Sequence, residues 1–128
     1  TPIPIIEEPA RPTRILIVED SAITATALRL LFESSGYEVV IAASVKEALQ
    51  SGLNVIPEVM LLDLTLGDGD GLSVLQRLRD ANCAPGATIA LTGHDDDEMC
   101  QRCLDAGCTE VLIKPVPIAR LLELVRSL

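Results

Sequence analysis

Five residues of this 128-residue sequence could do chemistry together: Glu19, Asp20, Asp63, Thr92 and Lys114. They stand at the exits of short, mainly apolar runs, at residues 15–18, 59–62, 88–91 and 110–113. Runs of that length, bounded by turn residues, read as buried strands. Ligand crevices of open α/β folds lie at the carboxyl ends of such strands. Asp63 alone leaves two readings open, because Asp also opens turns. In company it has a chemical reading. Three carboxylates at one spot disfavour one another's ionisation, and a bound Mg²⁺, which takes oxygen ligands, removes the conflict. Lys114 adds a cation and Thr92 a hydroxyl. That combination suits phosphoryl transfer, where catalysis is mostly positioning and charge neutralisation. Asp63 is then the nucleophile that becomes an aspartyl phosphate. Glu19 and Asp20 hold the metal, directly or through water, with the backbone carbonyl of Thr65 as a further ligand. Lys114 and Thr92 hold the phosphoryl oxygens.

The elements that must position these residues alternate. After the first strand, residues 21–35 carry a helical period with Ala27, Leu28 and Leu31 as the core series, and Gly36 ends it. Residues 38–42 form a second strand. Ser44 and Glu47 make a capping box for a helix reaching about Ser51, where Gly52 stops it. A helix from Gly71 to about Ala81 turns Leu72, Leu75 and Leu78 inward. Another runs from Asp95 to Ala106 before Gly107, and the last, from Ile118 to Leu128, turns Leu121, Leu122 and Val125 inward. Five strand-then-helix repeats predict an α/β fold, a parallel sheet with right-handed crossovers and helices on both faces. All strand-to-helix loops then share one edge, which gathers the five residues.

Composition narrows the classes. Ten Lys+Arg against nineteen Asp+Glu give a net charge of −9, which is no footprint for nucleic acid or an anionic membrane. No apolar run approaches a membrane span, and no secretory signal is present. Residues 1–13 carry four of the eight prolines and no period, so they read as a linker preceding one domain over 14–128. The start at Thr1 suggests a fragment or a processed chain.

From Arg14 to Leu128 the chain resembles the receiver domains of two-component response regulators, the receivers of hybrid histidine kinases among them. The acidic pair Glu19-Asp20, the lone Asp63, Thr92 followed by a small residue, Lys114-Pro115, and Asp70-Gly71 stand in the family's order. The resemblance implies a single flavodoxin-like domain with sheet order 2-1-3-4-5. It implies phosphorylation of Asp63 from a histidine kinase or a histidine phosphotransfer domain, a cytoplasmic setting, and a cis bond at Lys114-Pro115. It also implies that the domain is no enzyme beyond its own phosphorylation and dephosphorylation. In two places the chain departs from the pattern. Val111 stands where the family often has an aromatic, so any switch there must be smaller or differently built. Gly67 replaces the common Pro, and the Gly-rich stretch 66–71 is expected to be loose and mobile. Two rivals remain: a receiver-like binding module independent of phosphorylation, and an aspartyl-nucleophile phosphatase suggested by Asp63-Leu64-Thr65.

Other residues carry weaker signals. Asp95, Asp96, Asp97 and Glu98 fit a solvated helix start. Asp68 and Asp70 fail the EF-hand spacing, since the required Glu falls on Arg77, and Asp70 reads as a helix cap. Cys100 and Cys103 could ligate zinc or do redox chemistry, but small helix residues in a reducing cytoplasm are the better reading. His94 and Thr65 lie near the line of attack of water on a phosphoryl group, where they could set its lifetime. Ile23 and Leu30 form a second apolar strip on the first helix, either a partner's docking face or a wider buried stripe.

Overall fold

The apolar runs form strands because both faces of the sheet they build are covered. The computed structural model describes residues 13–67, 69–93 and 97–128. In chain order the first elements are β1 (Arg14–Val18), α1 (Ala22–Ser34), β2 (Glu38–Ala42) and α2 (Val45–Asn54). Next come β3 (Val59–Asp63), the two-residue strands β4 (Thr65–Leu66) and β5 (Gly69–Asp70), and α3 (Leu72–Asp80). The chain finishes with β6 (Ala87–Thr92), α4 (Asp97–Ala106), β7 (Glu110–Ile113) and α5 (Ile118–Arg126). The five-stranded sheet is parallel throughout, in the order β2-β1-β3-β6-β7. Counting sheet strands alone, this is the expected 2-1-3-4-5.

Alternate residues of each strand serve opposite faces. Leu16, Val18, Met60, Leu62 and Ala90 pack with α2, α3 and α4. Ile15, Ile17, Val59, Leu61 and Ile89 pack with α1 and α5. Helix starts and stops follow local chemistry. Ser44 accepts from the Glu47 N–H at 3.1 Å, and Glu47 reaches back to the Ala43 N–H at 2.7 Å. Gly36 and Gly107 take φ of +92° and +103° at the ends of α1 and α4, where an L side chain would be strained.

Two expectations need correction. The buried face of α1 is Ala25, Leu28 and Phe32, with Ala27 exposed and Leu31 half-buried. Phe32 sets that face: its ring is fully buried and packs edge-on against Tyr37, centroids 5.7 Å apart. Gly52 does not stop α2, which continues to Asn54. It is a packing glycine, since a Cβ there would come within 2.9 Å of Leu78 Cδ2 on α3. The stretch after Asp63 contains a short antiparallel ribbon in which Thr65 pairs with Asp70 and Leu66 with Gly69. Leu66, buried in the core, pins it. Asp68 lies outside the described residues.

Candidate functional site

The site is built on the carboxyl edge of the sheet by backbone bonds that hold the strand exits together. The Glu19 N–H donates to the Ala42 carbonyl, Leu64 to Leu91, and Lys114 to Thr92, at 2.7–3.0 Å. Glu19, Asp20, Asp63, Thr92 and Lys114 thereby meet, as the strand exits predict. Carboxylate oxygens of Glu19, Asp20 and Asp63 lie within 4.8 Å of one another. Asp63 and Glu19 are 2% and 5% exposed, and Asp20 is open to solvent. Lys114 Nζ stands 2.9 Å from Asp63 Oδ2 and 4.0 Å from Glu19 Oε2. Asp63 Oδ1 accepts from the Thr65 N–H at 2.9 Å, and Glu19 Oε1 from the Ser21 N–H at 3.0 Å. Thr92 is fully buried at the end of β6.

Burial holds the Glu19 carboxyl above the ordinary carboxylate range, and Asp63 adds to the rise; the Ser21 N–H and Lys114 oppose it. One lysine facing three carboxylates leaves the cluster with excess negative charge. A hard cation with oxygen ligands, such as Mg²⁺, fits that donor set.

Gly71 is a site residue that spacing alone does not explain. Its φ is ordinary, yet a Cβ there would meet the Asp63 carbonyl oxygen at 2.6 Å and Leu64 Cα at 2.9 Å. The returning chain therefore crosses directly over the backbone of the phosphoacceptor candidate. The sequence signal was the Asp70-Gly71 pair, but its reason is close approach and not turn geometry. Asp70 caps as expected, Oδ1 accepting from the Leu72 N–H at 3.0 Å.

A family model of the response regulator receiver domain matches residues 15–126. The chain belongs to that family. A CheY-like receiver domain from Methanospirillum hungatei superposes with a TM-score of 0.85 at 31% identity, covering 91% of this chain and 93% of that one. The polar-differentiation response regulator DivK of Brucella anthropi is 29% identical over 91% of this chain and 95% of its own length. A protein-glutamate methylesterase/protein-glutamine glutaminase of Myxococcus xanthus is 36% identical over 88% of this chain, which spans 34% of that protein. The chain likewise spans 48% of the Escherichia coli regulator KdpE.

Beyond the acidic cluster, the receiver's remaining candidates sort by burial. His94, Asp95 and Asp96 lie outside the described residues, while Thr65 is exposed beside Asp63. Lys114-Pro115 is cis. All four cysteines are free thiols. Cys103 and Cys108 are buried in the core, and burial pushes the Cys108 thiol up to about 12 and raises Cys103 as well. Such thiols stay neutral and act as packing residues. Ile23 and Leu30 are 85% and 63% exposed, so the second strip of α1 is not a buried stripe. Ile23 lines a cleft of about 500 Å³ between α1 and α5, which Glu19 and Lys114 join at the site. Among the described residues, no helix is long and apolar enough to cross a membrane.

Proposed function

We propose that this receiver accepts a phosphoryl group on Asp63 from a phosphohistidine donor and passes the signal on by a shift in conformation or by a further transfer. The observation that carries the reading is the buried Asp63 carboxylate, held between Lys114 Nζ at 2.9 Å and the acids Glu19 and Asp20. An Asp63 oxygen forms a bond to phosphorus as the donor's N–P bond breaks, and the leaving imidazole nitrogen keeps the electron pair. Glu19, Asp20, Asp63 and the Thr65 carbonyl would hold Mg²⁺, which when bound supplies charge neutralisation for the phosphoryl oxygens. Lys114 balances the charge that develops on those oxygens, and Thr92 offers its hydroxyl to them. Thr65, exposed beside Asp63, and His94, two residues after Thr92 in the sequence, are the residues that set its lifetime.

The donor is a histidine kinase or a histidine phosphotransfer domain, whose helix would lie along Ile23 and Leu30 of α1. The acidic surface argues against a nucleic-acid role for this domain. Free thiols fit a reducing, cytoplasmic setting. On this reading the domain catalyses only its own phosphorylation and dephosphorylation, and any enzyme activity belongs to domains joined to it.

Intact-mass spectrometry after acetyl phosphate and Mg²⁺ tests the proposal. One phosphoryl adduct is expected, dependent on Mg²⁺ and lost in Asp63→Ala. No adduct from acetyl phosphate or a phosphohistidine donor would instead favour a binding module independent of phosphorylation.

A further inference from the structure

A continuous set of contacts leads from Asp63 to α4. The Thr65 N–H donates to Asp63 Oδ1, and Thr65 lies opposite Asp70 in the β4–β5 ribbon. Asp70 divides its carboxylate between two helices. Oδ1 accepts from the Leu72 N–H at the start of α3, and Oδ2 from Arg102 Nη2 of α4 at 3.1 Å. A second tie joins the same helices where Arg79 of α3 donates to the Ala106 carbonyl. Val111, meanwhile, is a short half-buried side chain packed on the core that holds Cys103 and Cys108. It has no polar tip with which to report on the site.

We propose that the Asp70–Arg102 ion pair couples occupancy of the Asp63 site to the position of α4, an inference that rests on the phosphoacceptor reading above. A ligand that draws on the Thr65 backbone moves β4, and Asp70 opposite it moves too. Asp70 cannot follow without changing its bond to Leu72 or to Arg102. The ion pair is thus an element with two arrangements, made or broken, that both the site and α4 bias. Asp70 and Arg102 are positioning residues, since neither touches the reacting atoms. Both side chains are half exposed, 53% and 51%, which limits the coupling to about fivefold in an equilibrium constant. Coupling of binding equilibria is reciprocal, so loss of the ion pair must alter metal affinity by the factor with which the metal alters the pair.

The test is an NMR titration of the ¹⁵N-labelled chain with Mg²⁺, read at the Thr65 amide, in wild type, Asp70→Asn, Arg102→Ala and the double variant. Asn at position 70 keeps an acceptor for the Leu72 N–H and loses the charge. Coupling through the pair moves the Mg²⁺ Kd in the same direction in both single variants, about two- to fivefold, and no further in the double variant. Plain long-range electrostatics predicts opposite directions for the two single variants, and additivity; that result overturns the proposal. A second readout is the amide shifts of residues 97–106 on adding beryllofluoride with Mg²⁺. They should shrink in Arg102→Ala and be restored in part by Arg102→Lys. Shifts unchanged in Arg102→Ala overturn the coupling while leaving the site intact. A wild-type Thr65 amide that ignores Mg²⁺ removes the metal reading itself, and the coupling with it.

Discussion

Glu19 bears the charge conflict of the site, and its protonation gives the conflict a measurable sign. Burial first, and Asp63 second, hold its carboxyl above the ordinary value of 4.5. The folded state therefore keeps a proton that the unfolded state has released. Stability falls as pH rises from that ordinary value through the raised one, and remains reduced above it. Glu19→Gln removes the conflict while keeping an acceptor for the Ser21 N–H. At pH 8 without metal, its thermal midpoint should rise by about 4 °C, the shift expected for ~1 kcal/mol in a domain this size. At pH 4, where wild-type Glu19 is protonated, the difference should vanish. Mg²⁺ should stabilise wild type more than the variant. Circular-dichroism melts at the two pH values, with and without Mg²⁺, check all three points. Sequence reading placed Glu19, Asp20, Asp63 and Lys114 together because strand exits share an edge. It could not tell Glu19 from Asp20. Adjacent residues leave the strand toward different surroundings, and the turn from β1 into α1 buries the first acid and exposes the second.

At the scale of elements, two glycines show how packing overrides local rules. Both stood at places where glycine ordinarily marks a turn or a helix end. Gly71 instead lies against the Asp63 carbonyl, and Gly52 lies inside α2 against Leu78. The obstacle differs, and so should the result of adding a methyl group. At position 71 the Cβ meets backbone, which can yield only by moving β3 and the loop that carries Asp63. Gly71→Ala should destabilise by about 2–3 kcal/mol and slow phosphorylation by acetyl phosphate, because Asp63 is displaced. At position 52 the Cβ meets the methyl end of a buried leucine. Overpacking costs about 1–2 kcal/mol there, against roughly 1 kcal/mol gained in helix propensity. Gly52→Ala should thus fall within about 1 kcal/mol of wild type and phosphorylate normally. Urea unfolding and intact-mass kinetics on both variants separate the two cases. The β4–β5 ribbon was illegible for a related reason. Three glycines and two acids over residues 67–71 carry no strand pattern, and the pairing is anchored by tertiary contacts, Leu66 in the core and the bonds of Thr65 and Asp70.

Across the whole molecule the layout was legible because it follows from one pattern. Unbroken apolar strands need both faces covered, alternation with helices makes the sheet parallel, and a parallel sheet collects every strand-to-helix loop on one edge. What periodicity could not decide was how wide the buried stripe of α1 is, since Ile23 and Leu30 lie beside Ala27 on the helix and are strongly apolar. The register set by Phe32 turns them outward and leaves Ile23 on the cleft beside Lys114. That arrangement separates two kinds of phosphodonor. Acetyl phosphate is small enough to reach Asp63 without touching α1. A phosphohistidine on a helix must bring its own helix alongside, where an apolar anchor near the site governs the encounter. Ile23→Glu should slow transfer from a phosphorylated histidine domain by about tenfold, the effect of losing roughly 1.4 kcal/mol of binding at such an anchor. Labelling by acetyl phosphate should change less than about twofold, and stability by no more than ~0.5 kcal/mol, because Ile23 is 85% exposed. Measuring both rates by intact mass on one preparation decides the matter. If both fall together, the substitution has disturbed the Asp63 site. If neither falls, the donor docks elsewhere and the exposed strip of α1 serves another contact.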